Sequence, residues 1–278
     1  MSTPYVCSVH THTTLCDGKG TPEEMAAAAY AAGVRHYGFS GHSHVPIPRE
    51  QPYVLPADMR GYCRTARALR AAYAGRMEIL LGIELDNLAD VSPEGFDYWI
   101  GSVHDFAGPD GEFYAVDYSP EEFLRCRDAL FHGDAFALTE AYYREVAAMA
   151  ARKPTILGHL DLVTKYGERH AFFDESDPRY RTAALDALHA ADPSATLLEI
   201  NTGAMSRGWR TTPYPARFLL EAWREMGGRV IITADAHRPD AVLYAYREAI
   251  AAARAAGYRA CTILTAQGQR ECPLPDIS

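Results

Sequence analysis

The chain has 278 residues, 48% of them hydrophobic, and its 27 basic and 36 acidic side chains give a net charge of −9. This size suits one α/β barrel with a large core, and the acidic balance argues against binding of nucleic acid through phosphate contacts. No signal peptide and no membrane-spanning stretch is recognisable, so we expect no membrane partner. The six cysteines form no Cys-x-x-Cys pair, which predicts reduced thiols in a cytoplasmic protein.

The first half of the chain alternates short apolar strands with helices. We predict strands at residues 5–10, 36–40, 78–85 and 98–103, and helices at 22–32 and 57–74. Thr21, Pro22 and Glu24 form a capping-box sequence at the first helix, and Gly33 ends it. The proline-rich loop over residues 45–56 is long for a connector, which is typical of loops that cover a site.

The second half continues the alternation. Ser119-Pro120-Glu121-Glu122 is a second capping-box sequence, and it opens a helical region to residue 153 with a break at Gly133. Further strands are predicted at 154–160, 196–201, 229–234 and 260–264, and helices at 179–191, 215–226 and 239–256. This order indicates βαβ units and a parallel sheet. About seven such units favour a closed barrel, and we expect a single domain over residues 1–278.

Metal-binding side chains follow the apolar runs. His10 and His12 are two residues apart in an extended segment, so both imidazoles point to the same side. Function gathers at the carboxyl ends of the strands in such barrels, where nine donors are expected to meet: His10, His12, Asp17, His42, Glu84, His104, His159, Asp235 and His237. Nine donors exceed the needs of one ion, so we predict two or three divalent ions. Imidazole and carboxylate without thiolate suit zinc, manganese or iron.

The motifs around these donors resemble those of the PHP (polymerase and histidinol phosphatase) family, most closely its histidinol-phosphate phosphatase branch. The matching motifs are His10-Thr11-His12, Cys16-Asp17-Gly18, Phe39-Ser40-Gly41-His42, Gly82-Ile83-Glu84, Gly101-Ser102-Val103-His104, Gly158-His159-Leu160-Asp161, Glu199-Ile200-Asn201-Thr202 and Asp235-Ala236-His237. They occur in the family order over nearly the whole chain. The resemblance implies a distorted seven-stranded (β/α) barrel, a single phosphoesterase domain and a trinuclear metal site.

The resemblance also implies how the donors are shared. The first ion would be bound by His10, His12, Glu84 and Asp235. Glu84 would bridge to a second ion, which would also be bound by His104 and His159. The third ion would be bound by Asp17, His42 and His237. Many relatives carry an acidic residue where this chain has Gly41, and because such a residue supports a metal ligand, its absence weakens the expectation of a third ion.

Clustered divalent ions bind phosphoryl oxygens and lower the pKa of a bound water. The resemblance therefore implies a phosphoric monoester hydrolase that converts L-histidinol phosphate to L-histidinol and phosphate in histidine biosynthesis. Asp17 and His237 are the candidates for assisting the leaving group. The alternatives are a phosphoesterase of the same family acting on a sugar phosphate or short nucleotide, and a non-catalytic metal-stabilised binding protein.

Candidate substrate-binding residues lie in the loops after the predicted fifth and sixth strands. The stretch from Asn201 to Arg210 resembles a loop of the phosphatase branch that carries a basic residue, and an arginine fork suits phosphate. Arg207 is the first candidate for phosphate, followed by Arg210, with Lys165 comparable. Asn201 and Glu199 are candidates for substrate contact or for support of the metal ligands. For the amine and imidazole of histidinol phosphate, the candidates are His44, Asp105 and Asp161.

Overall fold

Seven parallel strands form the centre of the molecule. The computed structural model describes residues 7–46, 59–109 and 111–275. Its strands are β1 (Cys7–Ser8), β2 (His36–Phe39), β3 (Glu78–Asp86), β4 (Tyr98–Ser102), β5 (Asp105–Ala107), β6 (Phe113–Ala115), β7 (Ile156–Leu157), β8 (Leu197–Asn201), β9 (Arg229–Thr233), β10 (Ala260–Thr265) and β11 (Gly268–Pro273). The parallel sheet has the order β1-β2-β3-β4-β7-β8-β9.

The two ends of this sheet meet. Thr11, just after β1, forms a parallel bridge with Ala236, just after β9. The backbone N–H of His12 donates to the Ala236 carbonyl at 2.9 Å, and the Ala236 N–H donates to the His10 carbonyl at 3.1 Å. The sheet is therefore a nearly closed barrel, and the predicted α/β barrel of seven strands is confirmed.

Helices follow the strands around the barrel. They are α1 (Pro22–Ala31), α2 (Met59–Ala72), α3 (Pro120–Phe131), α4 (Ala135–Ala151), α5 (Gly167–His170), α6 (Pro178–His189), α7 (Gly203–Ser206), α8 (Arg217–Glu225) and α9 (Tyr246–Ala255), with 3-10 turns at Leu162–Thr164 and Pro239–Ala241. None of the described helices is long and apolar enough to cross a bilayer.

The helix-start sequences behave differently at α1 and α3. At α1 the Thr21 hydroxyl accepts from the Glu24 N–H, and the Glu24 carboxylate accepts from the Thr21 N–H, so the predicted capping box is complete. At α3 the Ser119 hydroxyl accepts from the Glu122 N–H at 3.1 Å, but the Glu122 carboxylate pairs with Arg125 instead. Half of the second capping box is therefore missing, because a nearby guanidinium competes for the carboxylate.

Three further parts of the chain differ from the prediction. The helix predicted over 239–256 begins only at Tyr246 as α9, because Ala245 adopts a φ of +53°. The predicted polar tail contains β11, which pairs antiparallel with β10. The antiparallel hairpin β5–β6 follows β4, and its three-residue strands are too short to show an alternating pattern. The predicted covering loop lies largely outside the described residues.

Tyr98 fills the space between the first three strands of the barrel. Its hydroxyl lies 2.5 Å from the Val9 carbonyl and 3.0 Å from the Phe39 carbonyl, and its proton can be shared between them. The ring lies against the backbone of Gly38 and Gly82, where a Cβ atom would collide with it. Glycine at these two positions therefore lets one buried ring hold β1, β2 and β3 together just below the strand ends that carry the candidate site.

Candidate metal centre

The nine predicted donors converge at the carboxyl ends of the barrel strands. Their ligand atoms form four groups, each with all atoms within 4.8 Å of one another: His12, Asp17, His42 and His237; His10, Glu84 and His159; His10, His12 and Asp235; and His42, Glu84 and His104. Every predicted donor occurs in at least one group, and within the described part of the chain these groups contain no other residue. The structure thus brings together all nine side chains that sequence reasoning selected as metal donors. Their role as ligands stays a prediction.

Glu84 lies at the centre of the cluster, with its two oxygens facing different histidines. Oε1 lies 2.9 Å from Nε2 of His159 and 3.5 Å from Nε2 of His104. Oε2 lies 3.0 Å from Nδ1 of His42 and 3.3 Å from Nε2 of His10. This geometry suits a carboxylate that bridges two ions. It also places His42 beside Glu84, between the second and third ligand sets implied by the resemblance.

Glu199 is buried behind two of these histidines, in the middle of β8. Its Oε1 accepts from Nδ1 of His10 at 2.5 Å and from the Thr233 hydroxyl at 2.7 Å. Its Oε2 accepts from the His159 backbone N–H at 2.6 Å and from the Asn201 amide at 3.0 Å. Burial opposes the charge, but His10 and these hydrogen bonds lower the pKa of Glu199. An ionised Glu199 keeps a proton on Nδ1 of His10, so Nε2 is the nitrogen that would bind a metal ion once it has lost its own proton.

Asp86 supports His104 in the same way. Its Oδ2 lies 2.8 Å from Nδ1 of His104, and the side chain is almost fully buried. Nearby, the Ser102 hydroxyl donates to Oε1 of Glu84 at 2.7 Å. Sequence reasoning missed Asp86, although it follows Glu84 by two residues on β3. That spacing puts both carboxylates on one face of the strand and would have been a sufficient signal.

Within the described residues, five buried atoms of the cluster make no hydrogen bond, namely His10 Nε2, His12 Nε2, Asp17 Oδ1, Glu84 Oε2 and His159 Nδ1. A buried polar atom without a partner is costly and rare. These atoms carry lone pairs or negative charge, and their residues occur in overlapping groups of ligand atoms. Divalent cations bound to these groups would satisfy the atoms of His10, His12, Asp17 and Glu84, so the residues present fit the metals that the donor chemistry predicts.

The charges of the cluster shift the pKa values of its members. Burial opposes the charge on Asp235, but Arg207 and His10 hold its pKa well below the usual range. Burial also opposes protonation of His104, but Asp86 and Glu84 outweigh it and raise the pKa of His104 to about 10. Burial and the neighbouring His237 and His42 lower the pKa of His12 to about 3. At neutral pH the metal-free site therefore has a protonated His104 and a neutral His12.

A cavity of about 900 Å³ opens over the cluster and is also lined by four basic residues, Lys19, Lys165, Arg207 and Arg238. The Arg207 guanidinium donates to Oδ2 of Asp235 at 2.9 Å and lies 3.2 Å from Nδ1 of His237. The Lys165 ammonium donates to the Asp117 carbonyl at 2.6 Å and to the Asp117 carboxylate at 3.0 Å. Asp117 also lines the cavity. Sequence reasoning did not find it, because nothing local connects it to Lys165.

Four other predicted substrate-binding residues lie outside the lining of this cavity. Asn201 is fully buried, donates to Glu199 and accepts from the Gly203 N–H at 2.7 Å, so it supports Glu199 instead. Arg210 donates to the Thr164 carbonyl at 2.8 Å and ties two loops together. His44 lies 2.8 Å from the Asp90 carboxylate. Asp161 is fully buried and accepts from the Ala216 N–H at 2.8 Å. Asp105 does line the cavity.

Comparison with known proteins agrees with the motifs. Residues 8–203 match the PHP domain family. The chain belongs to the PHP family. Asp235 and His237 lie beyond the matched segment, yet the bridge between Thr11 and Ala236 joins them to it. The family resemblance drawn from the motifs is therefore confirmed.

Relatives of this PHP chain carry consistent names. The chain is 31% identical over 278 residues to a Deinococcus radiodurans protein named "Probable histidinol-phosphatase", covering 92% of this chain and 96% of that protein. It is 25% identical over 260 residues to the Bacillus subtilis "Histidinol-phosphatase", covering 85% and 95%. The fold is also that of a solved structure of histidinol phosphate phosphatase from Lactococcus lactis, complexed with zinc, L-histidinol and phosphate. The TM-score is 0.72 at 19% sequence identity, and the match covers 95% of this chain and 98% of that chain.

Proposed function

We propose that this protein is a metal-dependent phosphatase that hydrolyses L-histidinol phosphate to L-histidinol and phosphate in histidine biosynthesis. The observation that carries this proposal is the convergence of nine imidazole and carboxylate donors beneath a cavity that also holds Lys165 and Arg207. Relatives named histidinol-phosphatase match the chain over most of its length. The Lactococcus lactis neighbour contains zinc, L-histidinol and phosphate, which supports the same substrate here.

The proposed cofactor is a set of two or three divalent ions, with zinc, manganese and iron all compatible with the donors. The first ligand set is His10, His12, Glu84 and Asp235. The second is Glu84, His104 and His159, and the third is Asp17, His42 and His237. Ions bound there would neutralise phosphoryl oxygens and lower the pKa of a water nucleophile. The unpartnered buried atoms of His10, His12, Asp17 and Glu84 support the proposal.

Arg207 and Lys165 are the proposed phosphate ligands of the chain itself. The Arg207 side chain is 29% exposed and lines the cavity, so its guanidinium fork is accessible to two phosphate oxygens. Burial lowers the pKa of Lys165, and the Asp117 carboxylate partly compensates for this loss. Fixed positive charges next to the reacting phosphorus stabilise the negative charge that develops in the transition state.

The leaving alkoxide of the substrate must gain a proton. We propose that Asp17 or His237 assists this proton transfer. Both residues line the cavity, and both belong to the third proposed ligand set, so either would assist through its proximity to that ion.

The proposed partner is a small-molecule phosphate monoester. The net charge of −9 gives no support to nucleic-acid binding. All six cysteines are free in the structure, which supports the prediction of a cytoplasmic location. That location and the single-domain organisation of residues 1–278 stay predictions.

The decisive experiment compares substrates. Protein loaded with zinc, manganese or iron is assayed for phosphate release from L-histidinol phosphate, fructose phosphates and short nucleotides, with a chelator-treated sample as the control. We expect kcat/KM for histidinol phosphate to exceed the others by about tenfold or more. A clear preference for another ester would leave only a phosphoesterase of this family. Absence of metal-dependent phosphate release from every ester would refute the proposal.

A further inference from the structure

Tyr118 presents a large aromatic side chain to solvent at the cavity. It is 70% exposed and lines the cavity. The other exposed large hydrophobic residues of the described chain, Tyr244 and Tyr30, are 43% and 38% exposed and do not line it. Covering an aromatic ring with a flat or cationic group is favourable. The position of Tyr118 therefore suits contact with a bound substrate.

The backbone that carries Tyr118 is held firmly. The Asp117 carbonyl accepts from the Lys165 ammonium at 2.6 Å and from the Tyr166 hydroxyl at 2.5 Å. Val116 is fully buried, and its N–H donates to the His104 carbonyl at 2.9 Å. On the other side, Ser119 caps helix α3. Tyr118 is thus a preorganised contact, and its binding energy is not spent on ordering a loop.

Two residues that hold the backbone around Tyr118 also belong to the proposed phosphate and metal sites. Lys165, a proposed phosphate ligand, is the residue that fixes Asp117, and His104, a proposed metal ligand, fixes Val116. Two carboxylates also line the cavity, that of Asp105 in the β5–β6 hairpin and that of Asp117 just after it. A substrate with phosphate at one end and a flat, cationic group at the other would therefore meet matching chemistry at both ends.

We infer that Tyr118 determines specificity by packing its ring against the imidazole of the leaving group. This inference rests on the proposed function, and it adds the residue that separates histidinol phosphate from other phosphate monoesters. Imidazole is planar and becomes cationic near neutral pH, which are the two properties that favour stacking on an aromatic ring. Tyr118 acts on binding of the leaving group and takes no part in phosphoryl transfer.

The test measures steady-state kinetics of the metal-loaded wild type, Tyr118→Ala and Tyr118→Phe with L-histidinol phosphate. It also measures inhibition by L-histidinol and by L-alaninol, an amino alcohol that lacks the imidazole. We expect Tyr118→Ala to raise KM and the inhibition constant of L-histidinol about tenfold. We expect kcat and inhibition by L-alaninol to change less than about twofold, and Tyr118→Phe to resemble the wild type. Tyr244→Ala is the matched control, an exposed tyrosine away from the cavity.

The outcomes separate the two proposals. A wild type that releases no phosphate from histidinol phosphate overturns the proposed function and this inference with it. An active wild type whose KM and inhibition constants are unchanged in Tyr118→Ala overturns this inference alone. A loss of bound metal, a lower kcat or equal weakening of L-histidinol and L-alaninol would mean that Tyr118 only maintains the local structure, which also overturns it.

Discussion

Nδ1 of His10 donates a 2.5 Å hydrogen bond to Oε1 of Glu199, and neither side chain is exposed to solvent. The two residues are far apart in the chain, His10 just after β1 and Glu199 in β8, but in the closed barrel only β9 lies between these two strands. The other oxygen of Glu199 accepts from the His159 backbone N–H. One carboxylate thus orients a histidine of the first proposed ligand set and fixes the backbone of a histidine of the second.

Replacing Glu199 by glutamine should weaken metal binding without removing a ligand. The amide nitrogen would face a hydrogen-bond donor, because all four partners of this carboxylate are donors, and His10 would lose its fixed tautomer. We expect zinc affinity to fall by about 10- to 100-fold, the range typical of residues that hydrogen-bond to metal ligands. Titration calorimetry measures this affinity. Glu221→Gln, on the surface of α8, is the control. Wild-type affinity in Glu199→Gln would contradict the role.

Replacing Glu84 by alanine should remove more than one ion, because its two oxygens face different groups of histidines. We expect activity to fall by about 100-fold or more, since several kcal/mol of charge stabilisation would be lost with the ions. Metal content is measured by elemental analysis of protein purified without chelator. Ser102→Ala removes a hydrogen bond to Glu84 but keeps the carboxylate, so it should keep the ions. A Glu84→Ala protein with the full metal content would rule out bridging.

Metal binding should release a proton from His104. Burial opposes protonation of His104, but Asp86 and Glu84 raise its pKa to about 10. The protonated imidazole therefore stabilises the metal-free fold fully below about pH 6.5, and this stabilisation is lost as the pH rises towards 10. A histidine must be neutral to bind a metal ion, so apparent metal affinity should rise with pH across this window. Asp86→Asn should reduce proton release at pH 7.

The measurement is calorimetry of zinc binding in two buffers with different ionisation enthalpies, which gives the number of protons released. Asp90→Asn, which changes a carboxylate bonded to His44 outside the cavity lining, is the matched control. Equal proton release by the wild type and Asp86→Asn would show that Asp86 does not set the protonation of His104.

Arg207→Ala should lower kcat/KM for histidinol phosphate by about 100-fold, because charge-assisted hydrogen bonds to phosphate are lost. Arg207→Lys should recover only part of this loss, since an ammonium lacks the planar fork. Metal content is measured in parallel, because Arg207 also contacts Asp235. Arg217→Lys on the exposed start of α8 should behave as the wild type. Unchanged kinetics in Arg207→Ala would exclude it as a phosphate ligand.

Sequence reasoning located the barrel and the convergence of the nine donors because both depend on local patterns. Histidine or acid at the end of an apolar run, as at His104 and His159, marks the carboxyl end of a parallel strand. The residues that support the donors are harder to find. Asp117 acts through Lys165, which is 48 residues away in the chain, and only the folded chain shows that contact.

The wrong predictions have equally specific causes. The β5–β6 hairpin has three residues in each strand, below the length at which alternation becomes visible. Ala245 carries a left-handed backbone conformation, which no propensity argument expects of alanine. Glu122 has a neighbouring arginine as a competing partner, so its helix-start motif is only partly formed.

The bridge between Thr11 and Ala236 has a topological consequence. It is flanked by proposed metal ligands on both strands, His10 and His12 on one side and Asp235 and His237 on the other. Ions bound to these four side chains would link the first and the last strand of the barrel. Bringing two segments that are so far apart in the chain into contact is entropically costly. Metal binding would therefore oppose separation of β1 from β9, and the cofactor would stabilise the closed barrel.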